Sequence, residues 1–307
     1  MAPKQLEGLI ANLQDYSVHD GSGLRSVLFL KGCPLRCKWC QNPECLEYGI
    51  EIMFIESLCS GCFKCSEVCP AGAIRKEGYR IDREKCTKCG ACVDACRSNA
   101  MKKVGFTLTA EEAADLIERY KVFYKNSDNG GVTISGGDPV FQSDFALEVL
   151  KACRARGIHT AIETSAYAPE GVFLKLASNV DLLLADIKHM DPEKHKKGTG
   201  VSNEPILRNF RSWSKMENRP PCVVRIPLIP GFNDDEENVT KTCEFLKEVG
   251  VDHVDLLPFN FLADSKYREL GIAWTYSGTE SQDKEHLAKL TAIVDSFGFR
   301  NTVGGLW

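Results

Sequence analysis

The chain has 307 residues, enough for one large α/β domain or for such a domain carrying a small insert. Hydrophobic residues make up 43% and charged residues 26%, the balance of a soluble globular protein, and no apolar run reaches the length of about 18 residues that a membrane helix needs. A net charge of −4, with no basic block, disfavours a nucleic-acid partner, and the N-terminus lacks an apolar secretion signal.

Taken in chain order, the first strand is expected over Leu24–Leu30, preceded by the turn-forming segment Ser17-Val-His-Asp20-Gly21-Ser22-Gly23. Directly after it comes Cys33-Pro-Leu-Arg-Cys37-Lys-Trp39-Cys40, a Cys-x3-Cys-x2-Cys run at the C-terminal end of a strand, where α/β barrels build their active sites. Three close thiolates can hold three irons of a cubane and leave the fourth iron open, and an open position separates a reactive metal site from a closed one. The alternative is a zinc site completed by a distant fourth ligand, although zinc favours separated Cys-x2-Cys pairs.

Of the 15 cysteines, all but Cys153, Cys222 and Cys243 lie between Cys33 and Cys96, and such clustering points to metal ligation in a reducing, cytoplasmic compartment. Cys59-x2-Cys62-x2-Cys65-x3-Cys69-Pro70 matches the bacterial ferredoxin run, and Cys86-x2-Cys89-x2-Cys92-x3-Cys96 repeats it. In two-cluster ferredoxins the fourth cysteine of each run serves the other cluster. One cubane is therefore expected on Cys59, Cys62, Cys65 and Cys96, and a second on Cys86, Cys89, Cys92 and Cys69; two four-cysteine zinc sites are the alternative. Cys153, Cys222 and Cys243 read as small buried hydrophobes, and Cys45 as a residue near the first site without a role in it.

Beyond the cysteine-rich stretch, further strands are expected over Gly131–Ile134, His159–Glu163, Val180–Ala185, Cys222–Leu228 and Val254–Leu257. Amphipathic helices are expected over 110–124, opened by a Thr109-x-x-Glu112 capping box, over 144–156 and over 284–297. About six βα units result, fewer than the eight of a closed barrel. The expected architecture is an α/β partial (β/α)6 TIM-like barrel formed by residues 1–51 and 105–307, with a ferredoxin-like two-cluster insert over 52–104.

The strand ends carry polar turns: Ser135-Gly136-Gly137-Asp138-Pro139, Glu163-Thr164-Ser165 and Asp186-Ile187-Lys188. The two glycines let a backbone approach a ligand closely, and charges at strand ends need a partner or ligand. An ion pair between Asp186 and Lys188 is the less attractive reading, because residues two apart share a face only in a regular strand.

Cys-x3-Cys-x-aromatic-Cys resembles the signature of the radical S-adenosylmethionine (SAM) superfamily. That resemblance implies SAM bound to the open iron of a [4Fe–4S] cluster and cleaved reductively to a 5′-deoxyadenosyl radical. It implies that Trp39 packs beside the adenine, that Ser135, Gly136, Gly137 and Asp138 correspond to the Gly-Gly-Glu-Pro segment, that Asp186 meets the ribose and Lys188 the carboxylate, and that Arg225, Leu257 and Asn260 complete the site. Glu163, Thr164 and Asp186 match the family's monovalent-cation site. Asp138 and Asn260 stand where Glu and His are usual.

The segment Asp20-Gly-Ser-Gly-Leu-Arg25, joined to Asn42-Pro43-Glu44, Thr199-Gly-Val-Ser-Asn203 and the double cysteine insert, is similar to glycyl-radical-enzyme activating enzymes. These are oxidoreductases that take a hydrogen from a backbone glycine of a large anaerobic partner enzyme. Some stretches look like the activases of 4-hydroxyphenylacetate and other arylacetate decarboxylases, others like the benzylsuccinate synthase activase. The resemblance implies three [4Fe–4S] clusters and a flavodoxin or ferredoxin-type electron donor. The extra clusters fit an electron relay or a structural and docking role, and the rival function is a radical SAM enzyme acting directly on a small molecule.

Overall fold

A computed structural model describes residues 6–305. In chain order the strands and helices are β1 (Glu7–Ser17), β2 (Arg25–Leu30), β3 (Glu51–Phe54), α1 (Lys64–Glu67), α2 (Ala91–Asp94), β4 (Met101–Val104) and β5 (Phe106–Thr109). There follow α3 (Ala110–Glu118), α4 (Lys121–Lys125), β6 (Gly131–Gly136), α5 (Ser143–Ala155), β7 (His159–Thr164), α6 (Glu170–Ala177), β8 (Leu182–Asp186) and α7 (Pro192–Thr199). The chain closes with α8 (Glu204–Trp213), β9 (Cys222–Leu228), α9 (Glu236–Glu248), β10 (His253–Pro258), α10 (Ala263–Leu270), α11 (Lys284–Ser296) and β11 (Arg300–Val303).

One nine-stranded sheet runs β11-β10-β9-β8-β7-β6-β2-β1-β5. From β2 to β11 all pairings are parallel, while β1 is antiparallel to both β2 and β5. The parallel strands read as nearly unbroken apolar runs, such as Val27–Leu30 and Leu182–Ala185, because helices cover them and both faces are buried. The expected strands are all present, and β11 adds a seventh parallel one. Its sequence, Arg-Asn-Thr-Val, is polar and partly exposed, so no hydrophobic pattern announces it.

The expected helix over 110–124 is broken. Thr109 and Glu112 form the capping box, but the helix stops at Glu118 and a short α4 follows. The turn brings Tyr124 inward, where its hydroxyl donates to Ile117 O at 3.1 Å and meets Ser26 Oγ at 2.5 Å. Cys153, Cys222 and Cys243 are buried in the main core, as small apolar residues would be.

Residues 51–104 leave the main sheet and return to it at one place. Glu51 pairs with Val104 and Phe54 with Met101 in an antiparallel ribbon. The excursion has its own small core of Ile52, Phe54, Ile81, Cys92, Ala100 and Met101.

Candidate active site

The loop after β2 carries Cys33, Cys37 and Cys40, and the turn after β6 is stitched to it. Gly137 N donates to Leu30 O at 2.8 Å and Asp138 N to Gly32 O at 3.0 Å. Gly136 has φ +111, and a Cβ at Gly137 would run into the Gly32 and Cys45 carbonyls, so both positions require glycine. On the other side the loop leans on α7, with Arg36 N donating to Thr199 O at 2.7 Å and Lys38 N to Gly198 O at 3.0 Å.

These elements enclose a cavity of about 190 Å³. Cys33, Cys37, Cys40 and Trp39 line it from the first loop, Ser135 to Asp138 from the second, and Glu163, Thr164, Asp186, Lys188 and Leu257 from the later strand ends. Cys33 is buried and Cys37 and Cys40 are half-buried. Burial pushes the thiol of each up to about 12, so without metal they keep their protons. Trp39 is buried against Phe232, with ring centroids 4.7 Å apart.

Two candidates fall outside that cavity. Arg225 lies behind it, its Nη1 donating to Glu163 Oε1 at 2.6 Å and its Nε to the buried Asp255 at 3.4 Å, and it also donates to the His19 carbonyl. Asn260 is exposed; its side-chain oxygen accepts from Leu262 N at 3.2 Å. The segment around Asp20 reaches the same ion network from below, with Asp20 at 3.8 Å from Arg225. Burial and the charge of Glu163 raise the Asp20 pKa.

The buried Asp138 carboxylate is taken up by its neighbours in the cavity wall. It accepts from Thr164 Oγ1 at 2.7 Å, Ser165 N at 2.8 Å and Ser165 Oγ at 2.5 Å, tying the ends of β6 and β7 together. Asp186 and Lys188 form an ion pair, contrary to the expectation: β8 ends at Asp186, yet Ile187 N still donates to Arg225 O at 3.0 Å, so the chain keeps to the edge of β9 there. Burial opposes the Lys188 charge, but Asp186 and the nearby thiols outweigh it and hold the ammonium protonated. Burial would also raise Glu163, yet Arg225 and Ser135 keep it below the usual carboxylate range. The three residues matched to a monovalent cation thus already have partners: Glu163 has Arg225, Thr164 has Asp138 and Asp186 has Lys188.

The family model of the radical SAM superfamily matches residues 27–243. The chain belongs to the radical SAM superfamily. Among its relatives in that superfamily, the 4-hydroxyphenylacetate decarboxylase activating enzyme of Clostridioides difficile (strain CD196) is 40% identical, over 98% of this chain and 97% of the relative. The trans-4-hydroxy-L-proline dehydratase activating enzyme of Clostridioides difficile is also 40% identical, over 97% of this chain and 99% of the relative. SuiB of Streptococcus suis, solved with its precursor peptide SuiA, has a TM-score of 0.54 at 14% identity, covering 90% of this chain and 48% of that one, which is a likeness of fold. The chain is accordingly a SAM-dependent radical enzyme of the activating-enzyme group.

Within this radical SAM frame the excursion gathers its own thiols. Cys59, Cys62, Cys65 and Cys96 line one small pocket with Phe54, Phe63 and Arg80. Burial, with a lesser influence of the Cys86 and Cys69 thiols, pushes the Cys92 thiol up to about 11. Among the described residues no three His, Cys, Asp or Glu side chains stand close enough to share one metal ion. A cubane spreads its thiolates over separate irons and needs a wider arrangement. No helix among the described residues is long and apolar enough to cross a membrane.

Sequence reasoning missed Leu35, Leu46, Gln41, Asn42, Ser165 and Pro227 as cavity walls. Ser165 closes the strand-end turn Glu163-Thr164-Ser165 and Pro227 lies two residues beyond Arg225, and those positions were their signal. The two leucines carry no chemical cue.

Proposed function

We propose that this chain holds a [4Fe–4S] cluster on Cys33, Cys37 and Cys40, binds SAM beside it, and activates a large glycyl radical enzyme by taking hydrogen from a backbone glycine. The observation that carries the reading is the single cavity in which three cysteines meet the Gly136–Gly137 turn, Asp186 and Lys188. The donor set fits: among the described residues three thiols and no fourth line it, as an open cluster position requires. When bound, cluster and SAM together supply the 5′-deoxyadenosyl radical.

The chain's own residues bind and shield. Lys188, held charged, offers a cation to the SAM carboxylate, and Asp186 offers acceptors to ribose hydroxyls. Trp39 presents an indole to the adenine. Leu35, Leu46, Pro227 and Leu257 keep water from the reacting centre. Arg225 acts behind the wall by fixing Glu163.

The proposal extends to a partial (β/α)6 barrel over 1–51 and 105–307 and a ferredoxin-like insert over 52–104, whose two cysteine sets would hold one cubane each. The pocket shared by Cys59, Cys62, Cys65 and Cys96 supports the crossed assignment. A flavodoxin or ferredoxin-type protein would supply the electron. Two relatives of equal identity carry the names of different partner enzymes, so an arylacetate decarboxylase is one partner among several of the same class.

Electron paramagnetic resonance tests this directly. Mixing the reduced protein with SAM and a candidate partner should give a glycyl-radical doublet. Cys40→Ala should abolish both the doublet and 5′-deoxyadenosine release while leaving about eight iron atoms, those of two cubanes. Undiminished 5′-deoxyadenosine from that variant would sink the assignment.

A further inference from the structure

Helix α10 touches both halves of the molecule. Midway along it Lys266 Nζ donates to Gln41 O at 3.1 Å, Asn42 Oδ1 at 2.8 Å and Glu44 Oε1 at 2.7 Å, all on the segment that follows Cys40. At its C-terminal end the last carbonyls are capped by residues of the excursion. Tyr79 Oη donates to Glu269 O at 2.6 Å, and Arg83 donates to Leu270 O at 2.7 and 3.0 Å. A guanidinium on helix C-terminal carbonyls is favoured by both hydrogen bonding and the helix dipole.

The excursion residues that make these contacts lie between the two cysteine runs, on the stretch that leads into the second. Arg83 precedes Cys86 by three positions in the sequence, and Tyr79 Oη accepts from Arg83 Nη2 at 2.7 Å. Lys88, between Cys86 and Cys89, pairs with Glu51 at 2.6 Å, and Arg83 reaches the same carboxylate at 3.3 Å. No comparable link to α10 runs from Cys59, Cys62 or Cys65 among the described residues. Their pocket is lined instead by Phe54, Phe63 and Arg80.

We infer that the two auxiliary centres have unequal places: the one on Cys69, Cys86, Cys89 and Cys92 is the inner centre, and α10 holds it in register with the Cys33–Cys40 loop through Tyr79, Arg83 and Lys266. The inference rests on the three-cluster reading above. One electron from a reduced flavodoxin or ferredoxin-type donor enters at the outer centre, passes to the inner one and leaves it for the SAM-site cluster, with no bond made or broken. Tyr79, Arg83 and Lys266 are positioning residues in this scheme and touch neither SAM nor iron.

The test uses the full chain carrying about twelve iron atoms, the content of three cubanes. In the fully reduced protein a neighbouring spin should broaden the resonance of the SAM-site cluster. Cys92→Ala, which removes the inner centre, should abolish that broadening, and Cys65→Ala, which removes the outer centre, should preserve it. Tyr79→Phe and Arg83→Met, each with its iron intact, should slow reduction of the SAM-site cluster by a flavodoxin roughly tenfold, the usual scale for an outer-shell support, and leave dithionite-driven SAM cleavage unchanged. Lys266→Met should weaken the broadening and Lys266→Arg restore it. Broadening lost in Cys65→Ala but kept in Cys92→Ala would overturn the order of the centres, and unaltered flavodoxin kinetics in both Tyr79→Phe and Arg83→Met would overturn the role of α10. A native iron content of about four would instead sink the three-cluster reading, and iron analysis alone identifies that case.

Discussion

The two cysteine regions of this chain solve opposite problems. Cys33, Cys37 and Cys40 are set into a framework that stands without them: the main core contains none of the three and is assembled from the parallel strands and the helices that cover them. In the excursion the thiols are themselves the filling. Cys92 belongs to its small core, and Cys59, Cys65, Cys86 and Cys96 pack against it. Their electrostatics differ in the same sense. Burial pushes Cys33, Cys37 and Cys40 all up to about 12, whereas the excursion is mixed: Cys92 is pushed up to about 11, and backbone N–H groups of Lys64 and Ala91 pull the exposed thiols of Cys62 and Cys89 below the ordinary value. A site lodged in a finished scaffold can be vacated; a core made of ligands cannot.

The sharpest way to break that contrast is to strip the iron. Chelation under anaerobic conditions should release the amides between β3 and β4 to full hydrogen exchange while those of β6 to β9 keep their protection. Equal loss, or equal retention, in both regions would end the distinction.

A smaller effect separates the regions by pH. His195 is fully buried in α7, its Nδ1 at 2.7 Å from Val201 O, and burial pulls its pKa from 6.5 down to about 4. The folded protein keeps the ring neutral while the unfolded chain takes up a proton. Stability is therefore complete above about pH 6.5 and drains as pH falls toward 4, by about 2 kcal/mol on reaching about pH 5. Denaturant unfolding followed on the main sheet should show this acid loss, and His195→Gln should flatten it. The same acid loss in the variant would assign the titration elsewhere.

The mildest change tests the scaffold at the site. A Cβ on Gly198 would lie 2.5 Å from Phe232 Cζ and 2.9 Å from Trp39 Cζ3. Gly198→Ala should displace the indole and weaken SAM binding about tenfold, the worth of one lost aromatic contact, with iron content unchanged. Calorimetric titration with SAM that returned the native affinity would remove Trp39 from the adenine site.

What the sequence made legible follows the strength of the local physics. The central strands are continuous apolar runs, and glycine pairs and cysteine spacings have few physical alternatives, so strand positions and most of the cavity wall could be read. β1 alternates with one face toward solvent, β11 is short and polar, and β3 to β5 run only four residues each, too short for a period to register. Asp138 and Arg225 were read as ligand contacts from the family resemblance, the first in a turn after β6 and the second within β9. Nothing in a linear pattern says that the first points sideways to Thr164 and Ser165, or that the second faces three carboxylates behind the cavity. The contacts of α10 join residues as far apart as Tyr79 and Glu269, a separation at which sequence pattern is silent.

The ribbon of β3 and β4 has a consequence for how such a protein can change. Glu51 and Val104 are cross-strand neighbours, so the excursion departs and returns across a gap of about 5 Å, a span one or two residues can bridge. Everything between them can be lengthened, exchanged or excised without moving a strand of the main sheet. What would be left bare is the far end of α10, whose carbonyls lose Tyr79 and Arg83. The excursion is thus a cartridge with a single socket and one latch, and the latch is where a graft between relatives would first have to be matched.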